Sequence, residues 1–137
     1  MSPHTDNLSR HDVQRLTRLI QDITPSSYDS GSLERLIDKL RGGAQLPPLE
    51  IPADVVTMHS VVVVHDLDHD KPMEYTLVFP HSADVTRGRI SVLAPLGAAL
   101  FGARVGEVIE VALQAGLRRW RVEYLLYQPE SAGDLDL

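Results

Sequence analysis

Arg89-Ile90-Ser91-Val92-Leu93-Ala94-Pro95-Leu96-Gly97-Ala98-Ala99-Leu100-Phe101-Gly102 joins a strand-like segment to a short apolar helix. Ile90 to Leu93 is short and extended, as β-branched residues favour. Pro95 makes a tight bend, since it fixes its own backbone and disfavours helix at the residue before it. Leu96 to Phe101 then reads as a short apolar helix, stopped by Gly102. Leu100 and Phe101 are expected in the core. Leu93 and Pro95 are open to two readings, core packing or an exposed apolar knob.

Working outward, strands lie on both sides of this helix. Ser60 to His65 is rich in valine and reads as a buried strand. Asp66-Leu67-Asp68-His69-Asp70-Lys71-Pro72 is a polar turn, and Met73 to Phe79 returns with Tyr75, Leu77 and Phe79 at alternate positions. Pro80 to Gly88 is a loop. Beyond the helix, Arg104-Val105-Gly106-Glu107 turns back, and Val108 to Leu113 and Leu117 to Tyr127 form a final hairpin through Gln114-Ala115-Gly116. Several antiparallel strands with one short helix give an α+β class.

The N-terminal part has a different period. Residues 9–23 read as an amphipathic helix capped by Ser9, with Asp12 completing a weak capping box and Leu8 and Val13 spaced as a hydrophobic staple. Val13, Leu16, Ile20 and Ile23 step by coiled-coil intervals. Pro25 halts this helix. A second one runs from about Ser30 to Arg41 with Leu33, Leu36 or Ile37, and Leu40 as its stripe, Lys39 and Arg41 near its end, and Gly42-Gly43 closing it. An antiparallel helical hairpin that projects from the rest is the expected arrangement; packing of both stripes on the strand-rich part is the alternative. Residues 44–53, with Pro47, Pro48 and Pro52, read as an extended linker. The expected division is 1–53, hairpin and linker, and 54–137, the sheet domain.

Composition narrows the class of function. The chain has 137 residues, no cysteine and a formal charge of −6. Residues 1–50 carry seven acids and six bases, and residues 51–137 twelve acids and seven bases. Neither part has the basic surplus of a protein held by phosphates, so direct nucleic-acid binding is not expected. No apolar run approaches the roughly 20 residues that span a bilayer, and the first residues lack a signal pattern. A cytoplasmic location is the simplest expectation, with no membrane partner.

Catalytic chemistry finds few candidates. The dense His65–Asp70 cluster has residue types that hold divalent metals; a hairpin turn capped by its own Asp residues accounts for the same pattern. Ser91 has no base nearby in sequence and is expected to bond local backbone. No cofactor, no metal ligand set and no catalytic residue is expected. A metal-binding enzyme built on His65–Asp70 and a structural self-association module remain as alternatives.

The opening stretch is similar to the Ile-Ser-x-x-Ser-Pro-(Ile/Leu)-x-x-Ala-(Leu/Ile)-x-Gly segment of Gre-type transcription elongation factors. Asp54-Val55-Val56-Thr57-Met58-His59-Ser60 and Tyr127-Gln128-Pro129-Glu130-Ser131-Ala132-Gly133-Asp134-Leu135 resemble signatures of a shorter relative, the family of regulators of nucleoside diphosphate kinase. Two departures are His59, where Asn is expected, and Ala94, where the pattern has Ser. The resemblance implies an FKBP-like sheet domain and bacterial RNA polymerase as partner. It implies docking near the secondary channel through Ser91, Leu93, Ala94, Pro95, Leu96 and Gly97. A prolyl isomerase activity is not expected.

In Gre factors the hairpin tip carries paired acidic residues that help hold a catalytic Mg²⁺ for RNA cleavage. The corresponding tip here is Asp22, Pro25, Ser26, Ser27, Tyr28 and Asp29, without that pair. A helix of about 15 residues also reaches only about 22 Å. The expectation is a monomeric, non-enzymatic polymerase-binding regulator that competes with Gre factors and affects nucleoside diphosphate kinase levels indirectly.

Overall fold

The computed structural model describes residues 7–22 and 30–134. Asn7–Ser9 (β1) leads into helix Arg10–Asp22 (α1); Ser30–Gly42 (α2) and Ala44–Leu46 (β2) follow. Then come Val61–Asp66 (β3), Lys71–Val78 (β4), Arg89–Ser91 (β5), helix Pro95–Leu100 (α3), Val108–Leu113 (β6), Gly116–Tyr127 (β7) and the short helix Pro129–Ala132 (α4). The large sheet has the order β5-β4-β3-β7-β6, and β1 pairs with β2. The chain is α+β, as expected.

Three features depart from the expected pattern. First, the sheet is not wholly antiparallel, because β5 runs parallel to β4 with Leu77 opposite Ile90. After Val78 the chain passes through two 3-10 turns, Pro80–Ser82 and Val85–Arg87, and re-enters the sheet edge in its original direction. Second, residues 44–53 are more than a linker: Ala44–Leu46 pairs in parallel with Asn7–Ser9, and Pro48–Glu50 forms a 3-10 turn. Third, β3 is buried on one face, with Val62, Val64 and Asp66 inside and Val61, Val63 and His65 outside.

The core face of the sheet presents Val62, Val64, Leu77, Ile109, Val111, Trp120 and Val122 to Ala98, Ala99, Leu100 and Phe101. Leu100 and Phe101 are buried as expected. The same cluster takes in Leu8, Val13, Leu16 and Leu36. The first turns of α1 and the middle of α2 are thus packed against the strand-rich part, which corrects the expectation of a free-standing hairpin at its base. Burying one such leucine contributes about 1.5–3 kcal/mol, so exposing this stripe on a projecting arm is disfavoured. Further along, Thr17, Ile20, Gln21, Ile37, Leu40 and Arg41 line a groove shared by α1 and α2.

Polar contacts fix how α1 meets the sheet. Ser9 Oγ accepts the Asp12 N–H at 3.4 Å, the expected cap. The Asp12 carboxylate turns to the sheet, accepting the Met58 N–H at 3.0 Å and an Arg15 Nη2 proton at 2.7 Å. Burial pushes the Asp12 carboxyl above its ordinary range, against the hydrogen bonds from Met58 and Arg15. The Arg15 guanidinium lies 4.9 Å from the Phe79 ring centre, and Phe79 also meets His59 and His81. His59 has φ 66°, in the left-handed region. That explains why Asn suits this position, since Asn and His enter that region more readily than most residues.

Residues 127–134 pack against residues 52–57. Gln128 Nε2 donates to Pro52 O and Val55 O at 2.8 and 2.7 Å. Glu130 is buried and accepts the Thr57 hydroxyl at 2.6 Å; burial raises its carboxyl pKa. Tyr127 donates to Asp134.

One close approach positions α3. A Cβ added to Gly97 would lie 1.9 Å from Ser91 O and 2.8 Å from Ser91 C. Both are backbone atoms that cannot swing aside. Gly97→Ala should therefore destabilise the protein by about 3 kcal/mol, the upper range for overpacking, measured by urea unfolding through Trp120, the single tryptophan. A loss within the usual surface range of about 0.5 kcal/mol would contradict the packing.

Asp12 carries a pH signature. Its folded pKa is raised, so its contribution is present below the unfolded value near 3.8 and is lost as pH rises through the folded value. The stability advantage of the wild type over Asp12→Asn should shrink as pH rises from about 4 towards neutrality. An advantage that grows over that interval would mean the bonds from Met58 and Arg15 outweigh burial.

Candidate partner-docking site

The bend between β5 and α3 is built from backbone bonds outward. Val92 N–H donates to Val78 O at 2.9 Å, holding the chain on the sheet just past β5. Ser91 Oγ accepts the Leu93 N–H at 3.0 Å, and Ala94 N–H donates to Ser91 O at 3.0 Å. Ser91 therefore turns the chain twice, once through its side chain and once through its carbonyl. Ala94 stays extended at φ −72°, ψ 154°, and Pro95 opens α3 at a position where its missing N–H costs nothing. Ala98 N–H donates to Ala94 O at 2.8 Å and closes the first turn.

The six residues singled out in the sequence fall into two groups. Ser91, Ala94, Pro95 and Leu96 are half-buried and reach the surface. Leu93 is only 3% exposed, and Gly97 is buried beneath the Ser91 carbonyl. Leu93 thus takes the core reading, because the Ser91 turn directs it inward. It shapes the bend from below. The outer side of Pro95 shares a groove with Gly31, Ser32, Arg35, Val111 and Ala112, so the arm forms one wall beside the bend.

Of the hairpin tip, Asp22 is the exposed last residue of α1. Pro25, Ser26, Ser27, Tyr28 and Asp29 lie outside the described residues.

The His65–Asp70 cluster is a self-contained turn. Asp66 is buried, and its Oδ1 accepts the N–H groups of Asp68 and His69 at 3.0 and 3.1 Å. Its Oδ2 is bonded to His69 Nδ1 and Arg118. Burial alone would raise the Asp66 pKa; the bonds from His69, Asp68 and Arg118 bring it below the ordinary value. His65 pairs with Asp70 at 2.7 Å, and Asp68 Oδ2 accepts the Arg119 N–H at 2.9 Å. Among the described residues no group of three or more His, Asp or Glu is arranged to hold a metal. The ligand types are present, but turn N–H groups and β7 bond the Asp66 and Asp68 carboxylates, and His65 and Asp70 bond to each other.

Two side chains beside the bend carry roles that sequence reasoning missed. Lys39 reads in sequence as a cation at the end of its own helix; it donates instead to Ala98 O and Ala99 O of α3 and to Phe101 O just past its end. Arg35 Nη1 donates to Glu110 O on β6 at 2.8 Å. A signal existed: Lys39 stands three residues after buried Leu36, on the same helix face.

Comparison with known proteins shows the family. The family model for the C-terminal domain of the transcription elongation factors GreA/GreB matches residues 51–127. The chain is 36% identical over 135 residues to a regulator of nucleoside diphosphate kinase from Escherichia coli strain K12, covering 98% of each. It is 33% identical over 96 residues to the transcription elongation factor GreA of Clostridium botulinum, covering 70% of this chain and 60% of that one. Among solved structures, a GreA/GreB transcription elongation factor from Nitrosomonas europaea superposes with a TM-score of 0.75 at 31% identity, over 90% of this chain and 99% of that one. The match runs through the Ser91–Gly97 bend and both flanking strands, and the chain belongs to the GreA/GreB transcription elongation factor family.

Proposed function

We propose that this protein is a non-enzymatic, monomeric cytoplasmic regulator that docks on bacterial RNA polymerase near the secondary channel. The bend presents Ser91, Ala94, Pro95 and Leu96 to the partner. Leu93 and Gly97 hold that surface in shape from beneath. The observation that carries the reading is that Pro95 and Leu96 reach the surface at the start of a helix whose remaining residues, Gly97 to Leu100, are buried, in a chain of the Gre family. A rigid apolar projection loses little freedom on binding, which favours its use as an anchor.

The arm and the sheet domain, residues 1–53 and 54–137, divide the work. Helices α1 and α2 have 13 residues each, about 20 Å of reach. The tip sequence has Asp22 and Asp29 flanking the turn but lacks the closely spaced acidic pair with which Gre factors help hold a catalytic Mg²⁺. The protein therefore occupies the docking position of Gre factors without stimulating transcript cleavage, and its effect on nucleoside diphosphate kinase levels is indirect, through transcription. The charge of −6 supports contact with polymerase protein rather than with nucleic acid.

Added to polymerase whose RNA cleavage is being stimulated by a Gre factor, the protein should reduce cleavage in a dose-dependent way. A rise in cleavage would overturn the reading. Pro95→Asp should weaken retention on immobilised polymerase by at least about tenfold, a loss of the size found for interface anchors, at an unchanged urea midpoint. Undiminished retention would move the contact elsewhere.

A further inference from the structure

Helix α3 ends with a hydrogen-bonding problem. The last carbonyls of any helix lack intrahelical partners, and α3 has only six residues. Two carbonyls find local donors: Phe101 N–H reaches Gly97 O at 3.1 Å, and Ala103 N–H reaches Leu100 O at 2.9 Å. The next local donor, Gly102 N–H, is committed to Val56 O at 2.8 Å. Ala98 O, Ala99 O and Phe101 O remain. They converge on Lys39 Nζ at 2.9, 2.9 and 2.6 Å. An ammonium carries three donors, and it also suits the negative end of a helix.

Lys39 is not part of the sheet. It comes from α2, on the arm, roughly 60 residues away in sequence. One helical turn earlier, Arg35 ties the same helix to Glu110 O of β6, and Leu36 between them is buried in the common core. The helix held this way is the one that walls the groove beside Pro95. The two ends of α3 therefore meet different things: its N-terminal proline forms the exposed bend, and its C-terminal carbonyls hold the arm.

We propose that Lys39 is a positioning residue: by capping α3 it fixes the direction of α2 and makes the arm and the Pro95 bend one rigid docking unit. The fixed direction stands on the contacts alone; its consequence for binding rests on the polymerase-docking reading above. Cations at helix C-termini are common on the same helix. Here the cation is lent by another element, so removing it frees that element as well as uncapping α3. A methionine in its place keeps the stem but offers no donor, and all three carbonyls then favour a displaced arm in which water reaches them.

The test uses the full chain, whose lack of cysteine allows clean labelling. Spin labels on Asp38→Cys, exposed on α2, and Thr86→Cys, exposed beyond β4, report the arm-to-sheet distance. With Lys39 present the distribution should be narrow and single. In Lys39→Met it should broaden or shift while Trp120 emission still reports a folded sheet, and affinity for immobilised polymerase should fall by about tenfold, a usual size for coupling between sites. Lys39→Arg, which keeps the charge and several donors, should recover part of both effects; if Lys39→Met does not fold, Lys39→Gln serves the same measurement. An unchanged distance distribution overturns the proposal, and so does a displaced arm with undiminished affinity. If the wild type itself is not retained by polymerase, the docking reading fails, while the distance measurement still decides whether Lys39 holds the arm.

Discussion

The structure depends on how closely α3 lies against the end of β5. Only the absence of a side chain at Gly97 lets the helix sit on the Ser91 carbonyl. That carbonyl is also the acceptor that turns the chain into Pro95. A single backbone oxygen thus serves as floor for the helix and as pivot for the bend. From this contact Leu100 and Phe101 are driven into the core, Pro95 is left outward, and the C-terminal carbonyls of α3 are brought to the place where Lys39 meets them. Backbone geometry therefore fixes where the bend and the carbonyls at the end of α3 lie, and the Lys39 side chain joins the arm to them.

The charged groups divide according to what they face. At the junction of arm and sheet, Asp12 and Glu130 are buried carboxyls whose pKa values burial raises. Each has hydrogen-bond donors, the Met58 N–H and Arg15 for Asp12 and the Thr57 hydroxyl for Glu130. In the β3–β4 turn, the Asp66 carboxylate receives four bonds, and its pKa falls instead. Lighter desolvation together with more hydrogen bonds moves Asp66 the other way. The first pair joins segments distant in sequence, and the second completes a local turn.

Much of the architecture was legible because periodicity reports burial. The strands, the short apolar helix and both arm helices were placed within a few residues, since Val, Tyr and Leu at alternate or helical spacing leave few other ways to bury themselves. The parallel return of β5 was not legible: the composition of Arg89–Ser91 is the same for either direction, and the two 3-10 turns that reverse the chain have no strong local signature. The β1–β2 pair is three residues long on each side, below what alternation can reveal. For the candidate site, the bend and its proline were readable, and the alternative of a buried Leu93 was open. Lys39 as a cap for a distant helix was not, because a lysine near the end of a helix reads first as serving its own dipole. The burial of Gln128 and Glu130 was hidden for a similar reason, since polar residues before a C-terminus look solvated until a partner such as Pro52 O or Thr57 is in place.

Membership of the Gre family and the geometry of the bend together make a simple account. In the function proposed here, a small sheet offers its proline-led bend to a large partner, and a short arm is held beside it. The most direct measurement is site-specific photo-crosslinking of the full chain to core polymerase. A photoreactive residue would replace Ala94 at the bend or, separately, Tyr124, which is 63% exposed on β7. The account predicts that position 94 crosslinks to polymerase and position 124 does not; efficient crosslinking from position 124 with none from position 94 would contradict it.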